Sequence, residues 1–267
     1  MLNYRLLGHS HNSTESLSTE NISAKPWLIL LHGLFGMSDN LLVLGKLLAE
    51  EFQVLLPDLI NHGNSPHRTL MDYPSMANDV FQLMDSMNIA SASIIGHSMG
   101  GKVAMQMATD APARVERLIV VDIAPVDYPP RHNGIFASMN SVARAKIASR
   151  KEADAMLANN IPELFIRQFL LKNLSKDDEG NWYWRMGLEE ILDAYPAISA
   201  APVFRHAYAG AVLFIKGERS DYLLKDHEPA IKTWFPNAQL RIVEGAGHWV
   251  HSDKPQVYHS LVKRFLK

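Results

Sequence analysis

The feature that most constrains this chain is the run I-I-G-H-S-M-G-G at residues 94–101. Two β-branched residues lead into a Gly-x-Ser-x-Gly turn, and K-V-A-M-Q-M-A, a good helix former, follows. A strand that turns this sharply into a helix presents a nucleophilic serine at its apex. Gly96 and Gly100 flank Ser98 where the turn leaves no room for a Cβ, and Ser98 itself is expected in a strained backbone conformation. The N-terminus of the following helix brings backbone donors beneath the hydroxyl.

Strand and helix patterns alternate around that turn. Residues 2–7 read as a short first strand. W-L-I-L-L at 27–31 reads as a strand covered on both faces, followed by F-Q-V-L-L-P-D at 52–58 and R-L-I-V-V-D-I-A at 117–124. Helical spacing runs over 39–51, with Leu41, Leu44, Leu47 and Leu48 on one face, and over 74–88, entered at Pro74 and Ser75. Residues 9–25, rich in Ser, Asn and Thr, read as a surface loop. After residue 127 the rhythm breaks. Residues 128–205 are mostly helical and punctuated by prolines, with Trp182 and Trp184 in a short turn or helix. A strand at 211–217, a helix at 226–235, a strand at 239–244 and a closing helix at 254–266 restore the pattern. The expectation is an α/β fold with a mostly parallel, eight-strand-like sheet and helices on both faces. Residues 1–127 and 206–267 would form its core and 128–205 a helical cap. Such a cap, set over the C-terminal ends of parallel strands, encloses a ligand pocket.

Composition narrows the chemistry. With 47% hydrophobic residues among 267, the chain can bury a substantial core. A formal net charge of -2 gives no reason to expect a nucleic-acid partner. The absence of cysteine excludes disulfides, thiolate metal sites and a cysteine nucleophile. His9 and His11 have no carboxylates at useful spacing, so no metal is expected, and no Gly-rich patch reads as a phosphate-binding fingerprint. The first residues, M-L-N-Y-R-L-L-G-H-S, do not read as a signal peptide, and no run is apolar enough to span a bilayer. A cytoplasmic enzyme without a cofactor is the expectation.

A serine needs a base to act as a nucleophile at neutral pH. His248, in G-A-G-H-W directly after the last strand, is the candidate, with His251 as the fallback. Two carboxylates compete to orient it: Asp122, at the end of the strand after the elbow helix, and Asp221, in K-G-E-R-S-D-Y after the strand that follows the cap. Backbone N–H groups of Met99 and of Leu34, in H-G-L-F-G, are candidates for an oxyanion hole. His32 and His97 read as supports for backbone geometry, and Lys102 as a surface or cap-facing residue of the elbow helix. Phe35, Phe136, Phe165, Trp182 and Trp249 are candidates for the substrate-binding wall.

The chain resembles the α/β-hydrolase superfamily and, more narrowly, the YbfF-type bacterial esterases. The resemblance rests on H-G-L-F-G at 32–36, N-H-G at 61–63, Y-P-S-M-A at 73–77 and G-H-S-M-G-G-K at 96–102. It extends through D-I-A-P-V-D-Y at 122–128, F-L-L-K at 169–172 and G-A-G-H-W-V-H at 245–251. It implies an α/β-hydrolase fold and places the acid in D-I-A-P, hence at Asp122, with a serine, Ser220, at the position after the cap. Ile60 stands where an Arg commonly precedes N-H-G, and Asp221 where Pro is frequent. The implied activity is hydrolysis of small-molecule carboxylic esters with short acyl chains, and of acyl-CoA thioesters. The same residues also suit an acyltransferase, a C–C hydrolase or a perhydrolase, and a fold kept only for ligand binding is a further alternative. A serine at the elbow disfavours dehalogenase or epoxide hydrolase chemistry, which would place an Asp there.

Overall fold

The computed structural model describes residues 1–8 and 25–267. Most of the loop expected at 9–25, with His9 and His11, lies outside the described residues. In chain order the first half carries β1 (Tyr4–Leu7), β2 (Trp27–Leu31), α1 (Leu42–Leu48), β3 (Gln53–Pro57), α2 (Tyr73–Ser86), β4 (Ala92–His97), α3 (Met99–Asp110) and β5 (Val115–Val121). An insertion follows: α4 (Asn133–Arg144), α5 (Arg150–Ala158), α6 (Leu164–Leu171), β6 (Leu174–Lys176), β7 (Trp182–Trp184), α7 (Leu188–Asp193) and α8 (Tyr195–Ser199). The chain then returns through β8 (Ala211–Gly217), α9 (Glu228–Trp234), β9 (Ala238–Val243), α10 (Val250–Asp253) and α11 (Pro255–Leu266).

The main sheet runs β1-β3-β2-β4-β5-β8-β9 and is parallel except for β1, which pairs antiparallel with β3. It has seven strands among the described residues rather than eight. Side-chain alternation divides each central strand between two cores. Leu28, Leu30, Val54, Leu56, Ile119 and Val121 pack on one face with Tyr258 and Val262 of α11. Ile29, Leu31, Leu55, Ile94, Leu118 and Val120 pack on the other with α2 and the Met-rich α3. Two covered faces explain why these strands are unbroken apolar runs.

Local chemistry sets the helix boundaries. Asp72 caps α2 by accepting from Ser75 N at 2.8 Å, and Pro74 sits in its first turn, where its missing N–H costs nothing. The expected helix at 39–51 opens instead with a 3-10 turn, Ser38–Leu41, before α1. Leu41, Leu44 and Leu48 are buried, whereas Leu47 is exposed. At about 100° per residue, Leu47 lies roughly 120° around the helix from Leu41 and misses the sheet. Trp182 and Trp184 belong to a strand, not a turn or helix. W-Y-W alternates as a strand does, and aromatic residues favour the pleated surface on which β7 pairs with β6. No helix among the described residues is long and apolar enough to cross a membrane.

Register positions the chemistry. Leu31 pairs with Gly96, His97 with Val121, and Val121 with Ile215. The C-terminal ends of β2, β4, β5 and β8 therefore finish side by side, and the residues that follow them line one edge of the sheet beside the insertion.

Candidate active site

Ser98 sits between β4 and α3 with φ 52° and ψ -120°, a left-handed conformation that costs a non-glycine residue energy. The turn is held by close backbone packing. A Cβ on Gly96 would fall 2.2 Å from Gly100 O, and one on Gly100 would fall 2.5 Å from both Leu31 O and His32 O. Ser98 N donates to Val121 O at 2.9 Å, tying the elbow to β5.

His248 reaches this turn from the loop after β9. Its Nε2 lies 3.0 Å from Ser98 Oγ and its Nδ1 2.7 Å from Asp122 Oδ2. A carboxylate only accepts, so Nδ1 carries the proton and Nε2 is free to accept from the serine hydroxyl. Asp122 is fully buried and also has positive φ, at 53°. Its Oδ1 accepts from Gly217 N at 2.9 Å, and its Oδ2 also accepts from the Ser220 hydroxyl. Asp221 points elsewhere: its side chain is 70% exposed and ion-pairs with Arg131 at 2.8 Å. Of the two candidate carboxylates, the geometry brings Asp122 to the imidazole.

The imidazole is also held by its surroundings. The Tyr222 ring stacks on it, with centroids 4.0 Å apart and an interplanar angle of 24°. Tyr222 N donates to Ser220 Oγ at 3.2 Å, so one loop supports both Asp122 and His248. His97 Nε2 donates to His248 O at 2.9 Å. Burial keeps His97 well below the usual histidine range, so it is a neutral prop. His251, the fallback base, packs against His97 rather than against Ser98. Its Nδ1 has no hydrogen-bond partner among the described residues, and burial pulls its pKa down to about 4.

Leu34 N–H makes no backbone hydrogen bond among the described residues, and Met99, as first residue of α3, has no helical acceptor for its own. The loop carrying Leu34 is fixed on both sides. His32 Nδ1 donates to Gly33 O at 2.8 Å while its Nε2 accepts from Leu59 N at 3.0 Å. Phe35 N donates to His62 Nε2 at 3.1 Å, and Asn173 of the insertion donates to Phe35 O at 2.8 Å. Burial lowers the pKa of His62 to about 3, which keeps it an acceptor.

A cavity of about 300 Å³ opens over Ser98, with Leu34, Phe35, Phe169, Trp249 and His248 in its wall. Phe165 packs against Trp249 at 5.2 Å and lines an adjoining cavity of about 120 Å³. Phe136 stands behind the wall, edge-on to Phe35 at 5.1 Å. Trp182 does not line the cavity: it packs half-buried against the core on the same side of β7 as the buried Trp184, with Arg150 and Lys176 over its ring. Lys102 is buried rather than on the surface, its ammonium donating to Val126 O at 2.9 Å and Ala200 O at 2.6 Å.

A family model described as alpha/beta hydrolase fold matches residues 26–255. The chain belongs to this family. It is 37% identical over 243 residues to Esterase YbfF of Escherichia coli (strain K12), covering 90% of this chain and 92% of that one. It is 40% identical over 249 residues to the sn-1-specific diacylglycerol lipase ABHD11 of Mus musculus, covering 90% and 81%. A solved structure described as a marine microorganism esterase superposes with a TM-score of 0.91 at 36% identity, over 99% of this chain and 98% of that one. The α/β-hydrolase here is thus a hydrolytic enzyme. Tyr222 escaped sequence reasoning because its stacking depends on where the loop after β9 lands, which no local pattern encodes.

Proposed function

We propose that this α/β-hydrolase is a serine esterase that cleaves short-chain carboxylic esters and acyl-CoA thioesters through an acyl-enzyme on Ser98. In this reading residues 128–205 are a cap on a core of 1–127 and 206–267. The observation that carries it is the continuous chain from Ser98 Oγ to His248 to Asp122, at 3.0 and 2.7 Å.

In the first step Ser98 Oγ attacks the carbonyl carbon and its proton passes to His248 Nε2. Asp122 stabilises the imidazolium that forms and holds its orientation. The carbonyl electrons move to oxygen, where the N–H groups of Leu34 and Met99 receive the charge; losing one such donor costs about 3 kcal/mol. When the tetrahedral intermediate collapses, His248 protonates the departing alcohol or thiol. Water then attacks the acyl-enzyme, giving one proton to the same nitrogen, and as this second intermediate collapses His248 returns that proton to Ser98 Oγ and the acid is released. Phe35, Phe169 and Trp249 supply apolar surface to the substrate in the cavity.

The test combines fluorophosphonate labelling with hydrolysis of p-nitrophenyl esters of increasing acyl length. Labelling and turnover that both vanish in Ser98→Ala support the reading. Turnover that persists in a folded Ser98→Ala protein would refute it.

A further inference from the structure

The ring of Tyr222 covers the imidazole of His248, and its hydroxyl reaches a different histidine. Tyr222 Oη lies 3.3 Å from His132 Nε2 and makes no other hydrogen bond among the described residues. Tyr222 and His132 both line the cavity over Ser98.

The direction of the Tyr222–His132 bond is set one step further along, at Tyr195. Tyr195 Oη accepts from Arg131 N at 2.9 Å and from His132 N at 3.1 Å. A phenolic oxygen has two lone pairs and one proton, so both acceptor positions are taken and its remaining bond is as a donor. The neighbour left to receive it is His132 Nδ1, at 2.7 Å. Burial holds the His132 pKa down at about 4, so at neutral pH the ring carries a single proton. With Nδ1 accepting, that proton is on Nε2, and Nε2 donates to Tyr222 Oη. Tyr222 therefore keeps its own proton free, and burial retains it by raising the pKa to about 12. The chain runs one way, from Tyr195 to His132 to Tyr222, and it starts from two backbone amides that cannot reverse. A hydroxyl that accepts in such a chain is polarised into a better donor.

We propose that the Tyr222 hydroxyl is a substrate-contacting donor, which gives a hydrogen bond to an oxygen of the ester held over Ser98. This rests on the esterase reading and adds a side-chain contact to the backbone N–H groups of Leu34 and Met99. The two ends of Tyr222 then have separate tasks: the ring keeps His248 in place and the hydroxyl addresses the substrate. Arg131 and His132 lead into α4 and Tyr195 opens α8, whereas Tyr222 follows β8. The insertion thus aims a donor that the sheet carries.

Tyr222→Phe removes the hydroxyl and keeps the stacked ring. Its kcat/KM for p-nitrophenyl acetate should fall about fivefold or more, the worth of one hydrogen bond. The acid limb of its pH profile should stay where wild type has it, because His248 keeps its neighbour. An unchanged kcat/KM overturns the proposal. A displaced acid limb also overturns it, since the hydroxyl would then act through His248 and not on the substrate. His132→Phe keeps a ring edge-on to Phe35 but removes the bond that aims Tyr222, so its loss should be the smaller of the two. A loss equal to or greater than that of Tyr222→Phe would mean that the hydroxyl only holds His132, and would overturn the proposal. The two Tyr222→Phe readouts decide the matter alone if His132→Phe does not fold. Wild-type protein inert toward p-nitrophenyl esters and thioesters would instead bring down the esterase reading, and this assignment with it.

Discussion

Two neighbouring strand ends carry the two candidate acids, and they have opposite fates. Asp122 follows β5, is fully buried, and accepts from Gly217 N, the Ser220 hydroxyl and His248. Asp221 follows β8, is 70% exposed, and pairs with Arg131. A carboxylate is worth most where water is excluded and its lone pairs are occupied, since there its field is screened least. The end of β8 contributes differently: Gly217, Ser220 and Tyr222 give it the work of holding a neighbour's carboxylate and imidazole.

The largest expected effect tests what both strand ends serve. Ser98→Ala should lower kcat by roughly 10⁵-fold or more, measured against a trace-contamination control, because the nucleophile acts as a unit with its base. Ser220→Ala sharpens the comparison by removing one donor from Asp122. A hydrogen bond to a charged group contributes about 2 kcal/mol, so kcat should drop on the order of tenfold or more with KM little changed. An unchanged kcat would mean the β8 loop supports nothing.

Acid should distinguish buried from exposed groups. Burial lowers the pKa of His132 and His251 from 6.5 to about 4, and of His62 to about 3. The folded protein therefore resists protonation that the unfolded chain accepts near 6.5. Stability is full above that value and is lost as pH falls from about 6.5 toward the lowered values, by roughly 1 kcal/mol per pH unit for each histidine. Urea unfolding at pH 7 and pH 5 measures this, and equal midpoints would contradict it. The smallest effect belongs to the exposed pair. Raising salt from about 0.05 to about 0.5 M screens Arg131–Asp221, an interaction worth about 1 kcal/mol or less, so the thermal midpoint should barely move. A large shift would show that Asp221 does more than its exposure implies.

Much of this was legible in the sequence. The glycines around Ser98 announce a turn that only close backbone packing explains, and the central strands announce their two covered faces by near-continuous apolar stretches such as L-I-L-L and L-I-V-V. The choice between acids was not legible from local pattern, since both follow apolar strands, Asp122 directly after β5 and Asp221 four residues after β8. Register decides it. Val121 pairs with Ile215, which brings Asp122 within 2.9 Å of Gly217 N, whereas Asp221 lies four residues past Gly217 in a loop that has already turned outward. The strand at Trp182–Trp184 was hidden for a similar reason: W-Y-W fits a strand as well as a turn until β6 is found beside it.

The most direct test of the central claim compares Asp122→Asn with Asp221→Asn, each checked for folding by circular dichroism, in kcat/KM for a p-nitrophenyl ester. Loss of the carboxylate beside a catalytic histidine costs on the order of 10³ to 10⁴. That loss is expected for Asp122→Asn, and a value within about threefold of wild type for Asp221→Asn. A collapse in Asp221→Asn with Asp122→Asn near wild type would contradict it.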